Sequence, residues 1–73
     1  MVTVYTTPAC VQCKMTKSEL SKLGVEYREI DLHENEDAVA EVKRHGFLAA
    51  PVVNAGSEWW YGFRPDRLSM LVA

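Results

Sequence analysis

The sequence predicts one α/β domain over residues 1–73, in the order β-α-β-α-β-β-α. The expected architecture is a four-stranded mixed sheet with helices on both faces. Three observations predict it. Segments rich in Val, Tyr and Thr alternate with segments whose apolar residues recur every three or four positions. Late in the chain, a Gly-containing turn separates two strand-like runs, as a hairpin requires. The chain has 73 residues, 48% of them hydrophobic and 25% charged, enough for one small core. A strand–helix–strand unit places its strands parallel with a right-handed crossover, and the hairpin then adds two antiparallel strands.

Met1 to Thr7 reads as the first strand, because Val2, Val4, Tyr5 and Thr6 favour an extended backbone. Thr7-Pro8-Ala9 breaks it, since Pro8 pushes Thr7 out of the helical region. From Val11 to Leu23 the pattern is helical, with Cys13, Thr16, Leu20 and Leu23 on one buried face. Lys14, Lys17, Ser18 and Lys22 are read as a solvated face, and Gly24 suits the stop. Val25 to Leu32 is the second strand, although its alternation slips between Tyr27 and Ile30. Asn35 to His45 is the second helix, capped by Asn35, with Glu36 and Asp37 at its positive end. Lys43, Arg44 and His45 fill its last turn, Gly46 stops it, and Val39 and Val42 form its apolar stripe. Pro51-Val52-Val53 opens the third strand, Asn54 to Ser57 is the turn, and Glu58 to Tyr61 is the fourth strand. Gly62 ends that strand, and Pro65 starts a last helix over Pro65 to Val72.

Eight basic against ten acidic residues leave a charge of −2, without a basic block, so nucleic acid is not an expected partner. The uncharged stretch from Met1 to Cys13 is too polar for a bilayer, and no membrane association is expected. No basic segment followed by an apolar run opens the chain, so a secretory signal is absent and a complete cytoplasmic protein is expected. A monomer is the expected state.

The chemistry centres on Cys10-Val11-Gln12-Cys13. Two cysteines cannot staple a fold, and a bridge three residues apart removes little chain entropy. If they pair, chemistry explains it better than stability. A C-x-x-C pair where a strand meets a helix is the sequence signature of a thioredoxin-like redox site. At a helix N-terminus, unpaired backbone N–H groups and the dipole stabilise thiolate over thiol. Cys10 is therefore the expected exposed nucleophile, and Cys13, one turn in, the resolving thiol. Two other readings stand beside this one. A zinc half-site would need His33 and His45, which no defensible spacing brings to Cys10. Two inert core cysteines would require Cys10 to be buried. No metal and no resident cofactor is expected.

Ala50-Pro51 is the second element, because the loop before the third strand reaches the cysteine end of the first helix. X–Pro bonds are cis in only about 5–6% of cases, so sequence alone favours trans. Only the fold argument reverses that preference.

Cys10-Val11-Gln12-Cys13 with Thr16-Lys17, then Ala50-Pro51-Val52-Val53, then Trp60-Tyr61-Gly62-Phe63-Arg64-Pro65 resemble the NrdH-redoxins. The resemblance covers essentially the whole chain. It implies a thioredoxin/glutaredoxin-like fold and a dithiol–disulfide oxidoreductase. It further implies electron donation to class Ib ribonucleotide reductase and reduction by NADPH-dependent thioredoxin reductase instead of glutathione. Cys10 and Cys13 would be the catalytic pair and Pro51 the cis-proline. Thr7, Pro8, Val11, Gln12, Ala50, Pro51, Val52, Trp60, Gly62, Phe63, Arg64 and Pro65 would form the partner-binding surface. Tyr61 stands where the family usually has serine. Glutathione-using relatives carry Gly-Gly before the last helix and usually read C-P-Y-C. Here the pair is Gly62-Phe63, and Val11-Gln12 offers no ring.

Strand alternation puts Trp60 on the face opposite Trp59 and Tyr61, which makes Trp60 equally readable as support for the active-site loop. Phe63 beside Arg64 is read as a partner contact, and His33 and His45 as surface residues. Two other functions compete with the dithiol carrier: a glutathione-dependent glutaredoxin, and a metal- or cluster-binding module using the two thiols. The reductant separates the first alternative, and metal analysis the second.

Overall fold

Strand β1 (Val2–Thr6) lies second in a four-stranded sheet, in a computed structural model that describes residues 1–72. Ala73, the last residue of the expected domain, lies outside the described residues. The chain continues through α1 (Val11–Lys22), β2 (Tyr27–Asp31), α2 (Glu36–Arg44), β3 (Val52–Ala55), β4 (Glu58–Tyr61) and α3 (Pro65–Ser69). The strand order is β2-β1-β3-β4. Strand β1 pairs parallel with β2 (Val4 opposite Glu29) and antiparallel with β3 (Val4 opposite Val53). Strand β4 joins β3 as a hairpin. This is the thioredoxin-like fold, with the expected order of elements.

Strand alternation divides the core in two. Val2, Val4, Val53 and Trp60 face Leu20 of α1 and Leu68 of α3. Tyr5 and Val52 face Ala38 and Val42 of α2 on the opposite side, with Ile30, Leu32, Phe47 and Trp59 around them. The slip in β2 now has a cause. Tyr27 packs on the α1/α3 side, while Ile30 and Leu32 pack on the α2 side. Helices cover both faces, so the strand needs no single apolar side.

Several boundaries differ from the sequence expectation. Leu32 leaves the strand and opens a 3₁₀ turn, Leu32–Glu34, in which the Asp31 side chain accepts the His33 N–H at 2.8 Å. In α2 the buried stripe is Ala38 and Val42, with Val39 only half-buried, because Ala38 lies one turn before Val42 on the same face. Asn54 and Ala55 belong to β3, and the turn shrinks to Gly56 and Ser57. The Asn54 amide donates to the Gly56 and Glu58 carbonyls and ties the hairpin from within the strand. The last helix is α-helical only to Ser69 and tightens to 3₁₀ over Met70–Val72.

The start of α2 follows its sequence signal. Asn35 accepts the Ala38 N–H at 3.0 Å, with Glu36 and Asp37 in the first turn. Asn35→Ala is expected to cost about 1 kcal/mol of folding free energy, read as a lower urea midpoint with unchanged m-value. An unaltered midpoint would mean that water replaces the cap at no cost.

Candidate functional site: a cysteine pair at a helix N-terminus

The site begins where β1 ends. Thr7, Pro8 and Ala9 turn the chain, and Ala9 takes a left-handed conformation with φ 58°. Such a conformation is uncommon outside glycine, and Ala9 is the only non-glycine among the described residues to adopt a positive φ. Cys10 follows in extended conformation as the N-cap of α1. Its sulfur accepts the Cys13 N–H at 3.1 Å, the place where a serine or aspartate oxygen would cap a helix. Cys10 and Cys13 form a disulfide, with Cα atoms 5.2 Å apart. Cys13 is 2% exposed, whereas Cys10 is partly open to solvent. Reduction would leave the Cys10 sulfur facing an amide donor and the positive helix end, which favours its thiolate.

Two further segments close on the pair. Ala50–Pro51 is cis. The fold therefore overrides the trans preference of the dipeptide. The Pro51 carbonyl accepts the Gly62 N–H at 2.8 Å, which locks the cis-proline loop to the end of β4. Gly62 has φ 89° and is buried, and a Cβ there would meet Gln12 Oε1 at 3.5 Å. Gln12 Oε1 accepts the Phe63 N–H at 3.2 Å. The middle of the C-x-x-C motif is thus bonded to the loop before α3, 51 residues away.

These contacts sort the residues expected to meet a partner. Pro8, Val11, Arg64 and Pro65 are exposed, with Val11 at 70%. Thr7, Ala50 and Phe63 are half-buried. Gln12 is exposed, but its acceptor is spent within the chain. Val52 and Trp60 are in the core, at 0% and 5% exposure, and Pro51 and Gly62 are also buried. Val52 and Trp60 therefore cannot offer side-chain surface to a partner, because each packs against helix side chains on its face of the sheet. They support the loops that do. Arg64 is not a free fork either. Its Nε and one terminal nitrogen bind the Asp66 carboxylate at 3.1 and 2.9 Å. The pair holds the Asp66 carboxyl below the usual carboxylate range and raises the Arg64 guanidinium, chiefly through those hydrogen bonds.

Sequence reading missed a charged cluster beside the cysteines. Lys17 donates to Glu29 Oε2 at 2.9 Å, and the buried Thr6 hydroxyl donates to the same oxygen at 3.0 Å. The Lys17 ammonium holds the Glu29 carboxyl below its ordinary range, against partial burial and with help from Thr6. The available signal was the i,i+4 spacing of Cys13 and Lys17; the partner strand was not visible without the β1–β2 register. His45 is exposed as expected, yet its ring stacks on Trp59 at 3.9 Å between centroids. Tyr61, in the family's serine position, is 47% exposed beside Phe47 and Leu48.

Among the described residues, no three His, Cys, Asp or Glu side chains converge as a metal site requires. No described helix is long and apolar enough to cross a membrane.

Comparison with known proteins places this geometry. Residues 2–60 match the Glutaredoxin family. The glutaredoxin-like protein NrdH of Lactococcus lactis is 42% identical over 71 residues, covering 97% of this chain and 99% of its own. The Escherichia coli NrdH is 37% identical over 70 residues, covering 96% of this chain and 86% of its own. The chain belongs to the glutaredoxin family, among its NrdH-redoxins. The solved structure of the Escherichia coli NrdH-redoxin superposes with a TM-score of 0.92 at 37% identity, covering 96% of this chain and 92% of its own. That protein is described as glutaredoxin-like with a thioredoxin-like activity profile. A glutaredoxin from Archaeoglobus fulgidus superposes at 0.86 with 25% identity, covering 97% of this chain and 84% of its own. As an NrdH-type protein, this chain is a thiol–disulfide oxidoreductase built on the Cys10–Cys13 pair.

Proposed function

We propose that this NrdH-redoxin is a cytoplasmic, monomeric electron carrier. Thioredoxin reductase, drawing on NADPH, reduces it, and class Ib ribonucleotide reductase is its oxidant. The observation that carries the choice of reductant is the loop before α3. Phe63 occupies the position of the second glycine of glutathione-using relatives, and Gln12 takes up its N–H. A tripeptide arriving there finds the Phe63 N–H, the donor it would need, already taken by the Gln12 side chain. The 42% and 37% identities to the two NrdH proteins support the same reading.

The chemistry balances over two electrons. The Cys10 thiolate attacks one sulfur of the target disulfide, forming a mixed disulfide and releasing one target thiolate. Cys13, having lost its proton, attacks the Cys10 sulfur, closes the intramolecular disulfide and releases the second target thiolate. The target takes up two electrons and two protons. Cys10, at the helix end and partly exposed, is placed for the first attack; Cys13, buried one turn on, is placed only for the second. Exposed Pro8 and Val11, half-buried Thr7, Ala50 and Phe63, and the remaining donors of Arg64 would frame the incoming partner.

Reduction of the oxidised protein by NADPH plus thioredoxin reductase, set against reduction by glutathione, tests the proposal. Efficient turnover only with the reductase is expected. Phe63→Gly is expected to slow the reductase reaction and admit measurable glutathione turnover, while Arg64→Ala lowers kcat/KM with the reductase roughly tenfold, as a contact worth ~1–2 kcal/mol would. Faster reduction of the wild type by glutathione would overturn the assignment.

A further inference from the structure

The Lys17–Glu29 pair lies in the same cavity as the cysteines and is not needed for any step above. That cavity, of about 280 Å³, is walled by residues 6–10, Cys13, Lys14, Lys17, Glu29 and Asp31. Its charged walls are Lys14 and Lys17 from α1, and Glu29 and Asp31 from β2; β1 contributes only uncharged groups. Lys17 is one helical turn beyond Cys13, and helical side chains lean toward the N-terminus. An unrestrained Lys17 ammonium would therefore lean over the buried thiol. It is instead held at 2.9 Å by Glu29, and Glu29 is held by the buried hydroxyl of Thr6. Asp31, the other carboxylate of the cavity, accepts the His33 N–H at 2.8 Å, and the ion pair of Lys17 is with Glu29.

We infer that Glu29, acting through Lys17, sets the redox poise of the Cys10–Cys13 pair. The physical reason lies in the half-reaction. The disulfide takes two electrons and gives two sulfurs that carry either protons or negative charge. A nearby cation stabilises the charged form, and a stabilised reduced form makes the disulfide a stronger oxidant. By neutralising Lys17, Glu29 withholds that stabilisation and keeps the dithiol a good electron donor. Glu29 is a positioning residue, touching neither sulfur in any recorded contact. The inference rests on the cysteine chemistry and is independent of which proteins exchange electrons with the pair.

The test is a set of three variants of the full chain: Glu29→Gln, Lys17→Met and the double variant. Each is equilibrated with a dithiothreitol redox buffer, and its thiols are titrated by thiolate absorbance. Glu29→Gln keeps the shape and an acceptor for Thr6 but loses the charge. It is expected to lower the titration midpoint of the thiols and shift the equilibrium three- to tenfold toward the dithiol, at tenfold about 30 mV more oxidising. Lys17→Met should shift both in the opposite direction, and the double variant should return near wild type. Circular dichroism and the urea midpoint report whether each variant folds. If folded Glu29→Gln keeps the wild-type equilibrium and titration, the pair is only a strand–helix tether and the inference fails. If Glu29→Gln does not fold, Lys17→Met decides alone, and an unchanged or raised potential there overturns it.

Discussion

Cys10→Ser is expected to reduce disulfide-reductase activity to background, whereas Cys13→Ser is expected to stop after one half-turn and accumulate a mixed disulfide with its target. The asymmetry follows from the geometry of α1. Cys10 is the N-cap, partly exposed, with its sulfur directed at the Cys13 N–H. Cys13 is 2% exposed, so no target disulfide reaches it directly. The helix end favours the thiolate at Cys10, and a thiolate attacks where a thiol does not. Non-reducing electrophoresis with a disulfide-bonded substrate, followed by peptide mass mapping, reads both outcomes. Alkylation of the reduced protein with limiting reagent should label Cys10 first. Preferential labelling of Cys13, or a trapped adduct from Cys10→Ser, would reverse the roles.

Trp60→Ala is expected to cause a large loss of folding stability. Trp60 is 5% exposed and packs with Val4, Leu20, Val53 and Leu68. Large-to-small changes of this kind cost about 3–5 kcal/mol. At about 0.05–0.15 kcal/mol per residue, 73 residues supply only roughly 4–11 kcal/mol in total. The loss therefore takes about a quarter of the stability at least, and most or all of it at the lower bound. Activity should fall with the folded fraction, and also because Trp60 lies two residues before Gly62, whose N–H holds the cis-proline loop. Trp60→Phe should be far milder. The indole N–H is buried without a hydrogen-bond partner among the described residues, so replacing it removes an unsatisfied donor while keeping a ring. Thermal melts and urea titrations of the two variants check this. Equal losses from both would show that the ring itself contributes little.

Local signals read well wherever one segment decides the outcome. Proline and glycine punctuation placed the breaks at Pro8, Gly24, Gly46 and Gly62, and the cap at Asn35 is a contact within one turn. Cys10 and Cys13 were readable because a helix start carries its own electrostatics wherever it lies. The apolar face of α1 was readable for a similar reason, since Cys13, Thr16 and Leu20 repeat with the helix itself. The errors fall where a neighbouring element intervenes. Asn54 favours a turn by itself, but pairing with β1 and β4 keeps it in a strand. Trp60 looked available for a partner, but helices α1 and α3 cover it.

The sequence by itself determined the order of elements, the redox pair and the family, because period, punctuation and motif are properties of contiguous residues. Only the tertiary structure decided the cis state of Ala50–Pro51, the bond from Gln12 to Phe63, and the assembly of Lys17, Glu29 and Thr6 beside the cysteines. Those three features join residues 12 to 51 positions apart or depend on a loop held from outside. Their energies arise from contacts that exist only after the sheet has set its register. A chain read one segment at a time carries no term for them.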